Sequence, residues 1–313
     1  MEKDLLLMGA NALRKAALNE QAKDYILSNE VLFKTMKKAA DRYIGGETLE
    51  ETITKVKEQN KQEFKCSIEF MGENTLTEKE ASEATNEFIR IAQEIKLQQL
   101  NSTISLDLSH IGLKISNELC LNNLTSICQE AEKKNIEVTI SAENIEITDS
   151  VIDIYKTAAK TFTNTSITLQ AYLHRSKDDF EDLIKENGRI RIVKGAFETP
   201  ENFSIPRGNA LDERYLYYID QLLSRNHRCA IATHHDLIQK EVVALVENYK
   251  TSKDLYEFES LYGIQTQQLI NLKEQGYPTK LYFVYGKEWY LYLCNRIAEY
   301  PLNIFQALND IVN

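Results

Sequence analysis

Eight short runs of β-branched and aromatic residues, separated by amphipathic helical stretches, constrain this chain most strongly. The runs are KCSIEF (65–70), TISLDL (103–108), IEVTIS (136–141), SITLQA (166–171), RIRIV (189–193), RCAIAT (228–233), LYEFES (255–260) and TKLYFV (279–284). Alternating strands and helices are typical of a parallel sheet, and eight such units are the number that closes a barrel. We therefore predict an α/β protein with a (βα)8 TIM-type barrel. A doubly wound open sheet is the alternative, because alternation alone does not close a sheet.

The residues before the first run have apolar side chains at helical spacing. This pattern predicts one helix through residues 1–27 and another over 31–44, which Gly45 and Gly46 end. A further helix begins at Thr48 and ends near residue 61. We predict an N-terminal helical segment, 1–62, packed on a barrel of residues 63–313.

Composition excludes several classes of protein. The chain has 313 residues with 37 Lys and Arg against 47 Asp and Glu, a net charge of −10 that argues against a nucleic-acid partner. Its five cysteines lack CxxC spacing, which argues against a disulfide framework or a zinc site and favours a reducing compartment. No stretch has the roughly 18 apolar residues of a membrane span. We expect a cytoplasmic protein without a transmembrane segment.

Polar side chains cluster where the predicted strands end, which is where active sites of such barrels lie. His234, His235 and Asp236 could suggest a metal site, but neighbouring residues of a strand point to opposite faces, so we predict no metal. The carboxylates Glu69, Asp107, Glu143 and Glu257 could suggest a glycosidase. Sugar sites usually contain several tryptophans, and this chain has one.

Two segments favour a flavin site among the possibilities that the residues leave open. Gln170 ends a strand and Arg175 follows it, while Lys194 and Gly195 end the next strand. A carboxamide, two cations and a glycine could offer hydrogen bonds to a flavin ring and positive charge to its reduced form. Ordinary loop chemistry would explain the same residues.

Taken together and in order, six segments resemble the proline dehydrogenase family, from about residue 35 to the C-terminus. They are Met71-Gly72-Glu73, Gln170 to Arg175, Val193 to Ala196, Ala232 to His234, Glu257 to Gly263, and the last block YFVYGKEWYLYLCNRIAEYPLN. The resemblance implies a distorted barrel that binds FAD and oxidises proline to pyrroline-5-carboxylate by hydride transfer to flavin N5. It also implies that the helix around residues 289–299 sits over the flavin.

The resemblance implies roles for individual residues as well. The cofactor-binding residues would be Gln170, Arg175, Lys194, Gly195, Ala196, Thr233, His234 and Glu257, with the Arg175 side chain near N5. Substrate would be bound by Asp107, Leu261, Tyr282, Tyr292, Asn295 and Arg296. Arg175, Lys194 and Tyr282 would be the catalytic residues. Glu299 lies three residues after Arg296 and is expected to orient it.

The chain departs from the family pattern where the substrate carboxylate should bind. Asp107 stands where the family has a lysine, Asn295 where it has the first of two arginines, and Ser141 where it usually has an aspartate. Two of three expected cations are therefore missing, and one has become an anion. Charge-assisted hydrogen bonds contribute about 1.5–3 kcal/mol each, so proline binding should weaken by about 10²-fold or more.

Three functional hypotheses follow. The first is a flavin-dependent dehydrogenase of a proline-like cyclic secondary amine, with Asp107 pairing a cationic part of the substrate. The second is an ordinary proline dehydrogenase, and the third a non-catalytic flavin-binding homologue. The electron acceptor, a quinone or oxygen, is not readable from the residues. A quinone acceptor would suggest peripheral association with a membrane. Such association is favoured by basic helices, and the N-terminal helices are not notably basic.

Overall fold

Eight parallel strands form a closed barrel in the computed structural model, which describes residues 2–72, 74–195, 197, 199–299 and 302–312. Each strand pairs with its neighbour in chain order. The strands are β1 (Lys65–Phe70), β2 (Ser102–Leu106), β3 (Val138–Ile140), β4 (Thr165–Gln170), β5 (Ile190–Val193), β6 (Cys229–Ala232), β7 (Tyr256–Leu261) and β8 (Thr279–Tyr285). The predicted barrel is confirmed, and the open sheet is wrong.

Four helices precede the barrel strands: α1 (Glu2–Ala17), α2 (Glu20–Ser28), α3 (Glu30–Asp41) and α4 (Leu49–Lys61). The prediction of one helix through residues 1–27 was wrong. The side chain of Asn19 accepts a hydrogen bond from the backbone of Ala22, and that of Asn29 accepts one from Leu32. Each asparagine caps the start of a new helix, so the chain breaks there although the apolar spacing continues.

The strands alternate with helices, and two helices follow the last strand. These are α5 (Glu78–Leu97), α6 (Asn117–Glu132), α7 (Thr148–Ala159), α8 (Ser176–Leu183), α9 (Asn209–Ser224), α10 (Asp236–Tyr249), α11 (Thr266–Glu274), α12 (Trp289–Glu299) and α13 (Asn303–Val312). A capping box begins α5, since the side chains of Thr77 and Glu80 each accept a hydrogen bond from the other's backbone N–H.

Contacts divide the chain into two units, residues 57–282 and residues 1–56 with 283–313. In the second of these units α1 packs on α12, and α13 packs on α3. There the indole N–H of Trp289 donates to Glu47 (2.7 Å) and Arg42 forms an ion pair with Asp310. The division at residue 62 that the sequence suggests stays a prediction.

Charged side chains are buried inside the barrel unit. Lys280 lies 2.6 Å from the carboxylate of Glu257 and 2.9 Å from that of Glu259, and all three are at most 4% exposed. Glu257 also accepts from Lys65 at 2.9 Å. Barrels of this class are usually filled by branched apolar residues. Here charged strand residues, which alternate with apolar residues in the sequence, form a buried network of ion pairs instead.

Candidate active site

A buried hydrogen-bonded cluster joins three strands at the carboxyl end of the barrel. Tyr282 on β8 donates its hydroxyl proton to the carboxylate of Glu69 on β1. The hydroxyl of Ser141, the residue after β3, lies 3.3 Å from the same phenol oxygen. All three residues are at most 9% exposed. Tyr282 is thereby held in one orientation at the end where active sites of such barrels are built.

Arg191 on β5 connects this cluster to the buried ion network. Its guanidinium carbon lies 4.7 Å from the centre of the Tyr282 ring. Its Nε donates to Glu259 at 2.5 Å. The cation over the ring face is attracted by the ring's quadrupole, and the carboxylate fixes the cation. Arg191 was not among the predicted site residues. An arginine within a strand fits the ordinary alternation of polar and apolar residues and gives no sign of a functional role.

Carboxylates end or follow the first three strands. Asp107, which is half-buried, comes directly after β2 and precedes a 3-10 turn, Leu108–Ile111. Glu143 follows β3 and accepts from the backbone N–H of Ser109 at 2.7 Å. With Glu69 on β1, the three strands place three acidic side chains at the carboxyl end of the barrel. The charge at this end is therefore acidic on the β1–β3 side.

Gln170 and Lys194 are anchored at the ends of β4 and β5. The Gln170 side chain is buried and donates to the backbone oxygen of Glu143 at 2.8 Å. The Lys194 ammonium donates to Asp212 on α9 and lies 3.1 Å from Nδ1 of His235. Asp212 was missed, since nothing in the sequence brings α9 to the end of β5.

Gly195 has a left-handed backbone that fits a glycine alone. Its φ is 122°, and a Cβ there would lie 2.1 Å from the ring of Tyr172. The ring of Tyr172 therefore packs against the Gly195 backbone, next to Lys194. Ala196 lies outside the described residues, as does Glu73.

Arg175 is fixed by two aspartates. Its guanidinium donates to both carboxylate oxygens of Asp179, at 2.8 and 3.0 Å, and pairs with Asp149. The hydrogen bonds to Asp179 and Asp149 raise the guanidinium pKa further above its ordinary value. The side chain keeps 30% of its surface exposed. Its charge is permanent and its direction is set before any ligand arrives.

Thr233, His234 and Leu261 form a connected group after β6 and at the end of β7. The backbone N–H of Leu261 donates to Nε2 of His234 at 3.0 Å. This bond makes Nε2 the acceptor and leaves Nδ1 as the donor nitrogen of a neutral ring. The Thr233 hydroxyl accepts from the backbone of His235 at 3.2 Å.

Glu257 lies in the ion network rather than beside the other predicted cofactor residues. Its partners are Lys65, Lys280 and Arg189. Burial would raise the pKa of this carboxyl, but Lys280, Arg189 and Lys65 hold it well below its usual range. The ion pairs account for this residue in full, and its contact with a cofactor stays a prediction.

Three predicted substrate residues, Tyr292, Asn295 and Arg296, lie on α12 in the other unit. Arg296 lies 5.0 Å from the centre of the Tyr292 ring and forms an ion pair with Glu299. The three-residue spacing predicted this pairing. The roles of Tyr292, Asn295 and Arg296 towards substrate stay predictions.

A histidine that the predictions left out is buried next to Gly72. His110 is 7% exposed, its ring centre lies 5.1 Å from that of Phe70, and a Cβ on Gly72 would come within 2.2 Å of it. Burial lowers the pKa of this imidazole to about 4, so it is neutral at pH 7. A histidine four residues after a strand gives no sequence signal for such burial.

All five cysteines are free and buried. Burial raises the pKa of the Cys66, Cys128 and Cys229 thiols to about 12, so none of the three is a thiolate at neutral pH.

Across the described ranges, no three His, Cys, Asp or Glu side chains are placed to share a metal ion. Within those same ranges, no helix combines the length and apolar character that a membrane span requires.

Comparison with known proteins decides the family. The family model for proline dehydrogenase matches residues 52–300. The chain is 36% identical to proline dehydrogenase 2 of Bacillus subtilis (strain 168) over 273 residues, which cover 87% of this chain and 90% of that protein. The chain belongs to the proline dehydrogenase family. The predicted class, an oxidoreductase of this family, is thereby confirmed.

More distant relatives agree. The proline dehydrogenase of Deinococcus radiodurans is 27% identical over 84% of this chain and 87% of its own length. The structure of proline utilization A from Bdellovibrio bacteriovorus, inactivated by N-propargylglycine, superimposes with a TM-score of 0.81 at 19% identity. That match covers 96% of this chain but 37% of the larger protein. At this identity it supports the barrel fold alone.

Proposed function

We propose that the chain is an FAD-dependent dehydrogenase that oxidises proline or a proline-like cyclic secondary amine to the imine. The observation that carries the proposal is the family match over residues 52–300, with curated proline dehydrogenases at 33–36% identity. FAD, when bound, would supply the two-electron, hydride-accepting chemistry.

The residues at the ends of β4 to β6 fit a flavin. Gly195 follows Lys194, and its missing side chain lets the Tyr172 ring pack against the backbone at the end of β5. Lys194 and Arg175 present fixed cations, and positive charge favours the anionic, reduced form of such a cofactor. Gln170, Thr233 and His234 would complete the binding set, with Ala196 beside Gly195.

Tyr282 is the residue through which the barrel would contact a substrate ring. Its hydroxyl proton is committed to Glu69, so the phenol oxygen keeps a lone pair towards Ser141 and any amine N–H. A substrate ring that packs against the Tyr282 ring would contact an aromatic side chain of fixed position. Positioning of this kind lowers the entropic part of the barrier.

We further propose that the preference has shifted away from the carboxylate of proline. Asp107 and Glu69 make the β1–β2 side of the barrel end acidic. An acidic wall repels a carboxylate, so it favours a ring amine that lacks one. An ordinary proline dehydrogenase is the second candidate, favoured by the names of the relatives.

The test is steady-state turnover with proline and with cyclic amines that lack a carboxylate, in the wild type and in a D107K/N295R variant. We expect the variant to gain about 10²-fold in kcat/KM for proline, because it restores two cations. The matched control is D153K/N122R, which makes the same charge change on exposed positions of α7 and α6. No gain with proline would overturn the account of specificity.

The same preparation tests three other points. A protein that purifies without the visible absorbance of a flavin, and takes none up, would contradict the enzymatic proposal and favour a non-catalytic homologue. Comparing the rates at which oxygen and a water-soluble quinone reoxidise the reduced flavin would identify the electron acceptor. Partition onto anionic vesicles would test peripheral membrane association.

A further inference from the structure

A cavity of about 740 Å³ opens at the amino-terminal end of the barrel, opposite the candidate active site. Its lining includes Lys65 and Ser102, which begin β1 and β2, and Glu137 and Asn164, which come directly before β3 and β4. The cavity lies wholly within the unit of residues 57–282. A volume of this size holds a small metabolite.

The lining is basic although the chain as a whole is acidic. The cavity is lined by four cations, Lys65, Lys96, Lys134 and Arg228, and by one carboxylate, that of Glu137. Two of these cations have carboxylate partners outside the lining, since Lys134 pairs with Glu130 at 3.0 Å and Lys65 with Glu257 at 2.9 Å. Glu137 is itself bound by two arginines, Arg228 and Arg189, each at 3.1 Å. The single anion of the wall is therefore already neutralised.

The network behind this wall also has more cations than anions. Its described members are Lys65, Arg189, Arg191, Arg228 and Lys280 on one side and Glu137, Glu257 and Glu259 on the other. Five positive charges thus share three carboxylates. The two members that line the cavity, Lys65 and Arg228, keep 27% and 36% of their side-chain surface exposed, where an anion from solution can reach them. The lowered pKa of Glu257, against the opposing effect of its burial, reports the same positive potential.

A hydrogen-bond donor is also available in the wall. Ser102 is 9% exposed, and its buried hydroxyl has no hydrogen-bond partner among the residues that the structure describes. A buried hydroxyl without a partner costs about 1–3 kcal/mol. An oxyanion in the cavity would accept from this hydroxyl and compensate the neighbouring cations together.

We infer that this cavity binds a phosphate group, carried by a small metabolite or as inorganic phosphate, between Lys65, Arg228 and the rim lysines Lys96 and Lys134. Lysine and arginine together suit a tetrahedral dianion, the lysines as point charges and the arginine as a fork of donors. The inference concerns the end of the barrel away from the candidate active site and does not rest on the proposed reaction.

Phosphate binding in this cavity is tested by calorimetric titration of the FAD-saturated protein with inorganic phosphate. The ionic strength is held constant with sodium chloride. We expect saturable binding at one site and at least a tenfold loss of affinity in K96Q/K134Q. The control K79Q/K114Q removes the same charge from exposed lysines in the first turn of α5 and in the loop between β2 and α6. It should bind as the wild type does.

The outcomes separate the possible explanations. No saturable binding by the wild type, or an equal loss in both lysine variants, would overturn the inference. A lower melting temperature of K96Q/K134Q with unchanged phosphate affinity would also overturn it, because the lysines would then only neutralise the carboxyl ends of α5 and α6. Glycerol phosphate and succinate as further titrants distinguish an ester from the free ion and a phosphate from a dicarboxylate.

Discussion

The phenol of Tyr282 donates its hydrogen bond to the buried carboxylate of Glu69, across the seam between the last strand of the barrel and the first. Tyr282 also lies beneath the Arg191 guanidinium, which Glu259 holds in turn. The side chain proposed to contact substrate is therefore oriented by three others. Its position is set by the buried polar interior rather than by apolar packing.

Tyr282→Phe should lower kcat/KM for amine substrates by about tenfold or more, because it removes the phenol oxygen and leaves Glu69 without this donor. Tyr215→Phe is the matched control, since its buried hydroxyl donates to the backbone oxygen of Ile192 at 2.9 Å. Both variants should lose stability by about 1–3 kcal/mol. Activity falling equally in both would contradict a specific role for Tyr282.

Lys194→Met should weaken FAD binding by about tenfold or more, which corresponds to about 1.4 kcal/mol or more. The cation anchored by Asp212 and His235 would be lost from the proposed cofactor site. Fluorescence titration of the apoprotein with FAD measures this without turnover. Lys240→Met, at an exposed ion pair with Asp236, should keep the wild-type affinity. A flavin affinity that Lys194→Met leaves unchanged would remove Lys194 from the binding set.

Lys280→Met should destabilise the fold by about 3–5 kcal/mol, because it leaves Glu257 and Glu259 buried without this shared cation. In a double-mutant cycle with Glu257→Gln, chemical denaturation should give a coupling energy of about 0.5–3 kcal/mol. Additive effects would show that the pair does not act as a unit. FAD affinity measured on Glu257→Gln in parallel decides the predicted cofactor role of that residue.

Stability should fall as the pH drops from 7 towards 5, in part through His110. Its pKa is about 4 in the folded chain, below the ordinary value of 6.5, so the unfolded state binds more protons in this range. The expected contribution is about 2 kcal/mol between pH 7 and pH 5. His110→Gln should show a correspondingly shallower dependence in urea unfolding, while His174→Gln at an exposed position should keep the wild-type slope. Equal slopes in all three proteins would refute this effect.

Local patterns predicted the barrel, since strand runs and helical spacing recur eight times within short windows. The break at Asn19 was missed because apolar spacing continues across it, and the cap alone marks the start of the new helix. The break at Asn29 agrees with the predicted separation of the first two helices. The helix α13 was also not predicted.

The candidate site was predictable only in part. Residues at strand ends, such as Glu69 and Tyr282, follow from the barrel rule. Their pairing does not, because these residues are 213 positions apart and only closure of the barrel brings them together. The partners Asp212 and Arg191 were missed for the same reason. Contacts between elements that are far apart in the sequence depend on the register of the barrel strands. The residue types alone do not specify that register.

Anaerobic mixing of the flavin-loaded protein with proline or pyrrolidine, followed by the loss of flavin absorbance, tests the central claim most directly. Pyrrolidine is the same ring without the carboxylate. The account predicts that both amines bleach the flavin and that pyrrolidine does so with the higher second-order rate constant for flavin reduction, since Asp107 and Asn295 stand where carboxylate-binding cations are expected. Bleaching by neither amine would contradict the dehydrogenase, and a clear preference for proline would contradict the rewritten pocket.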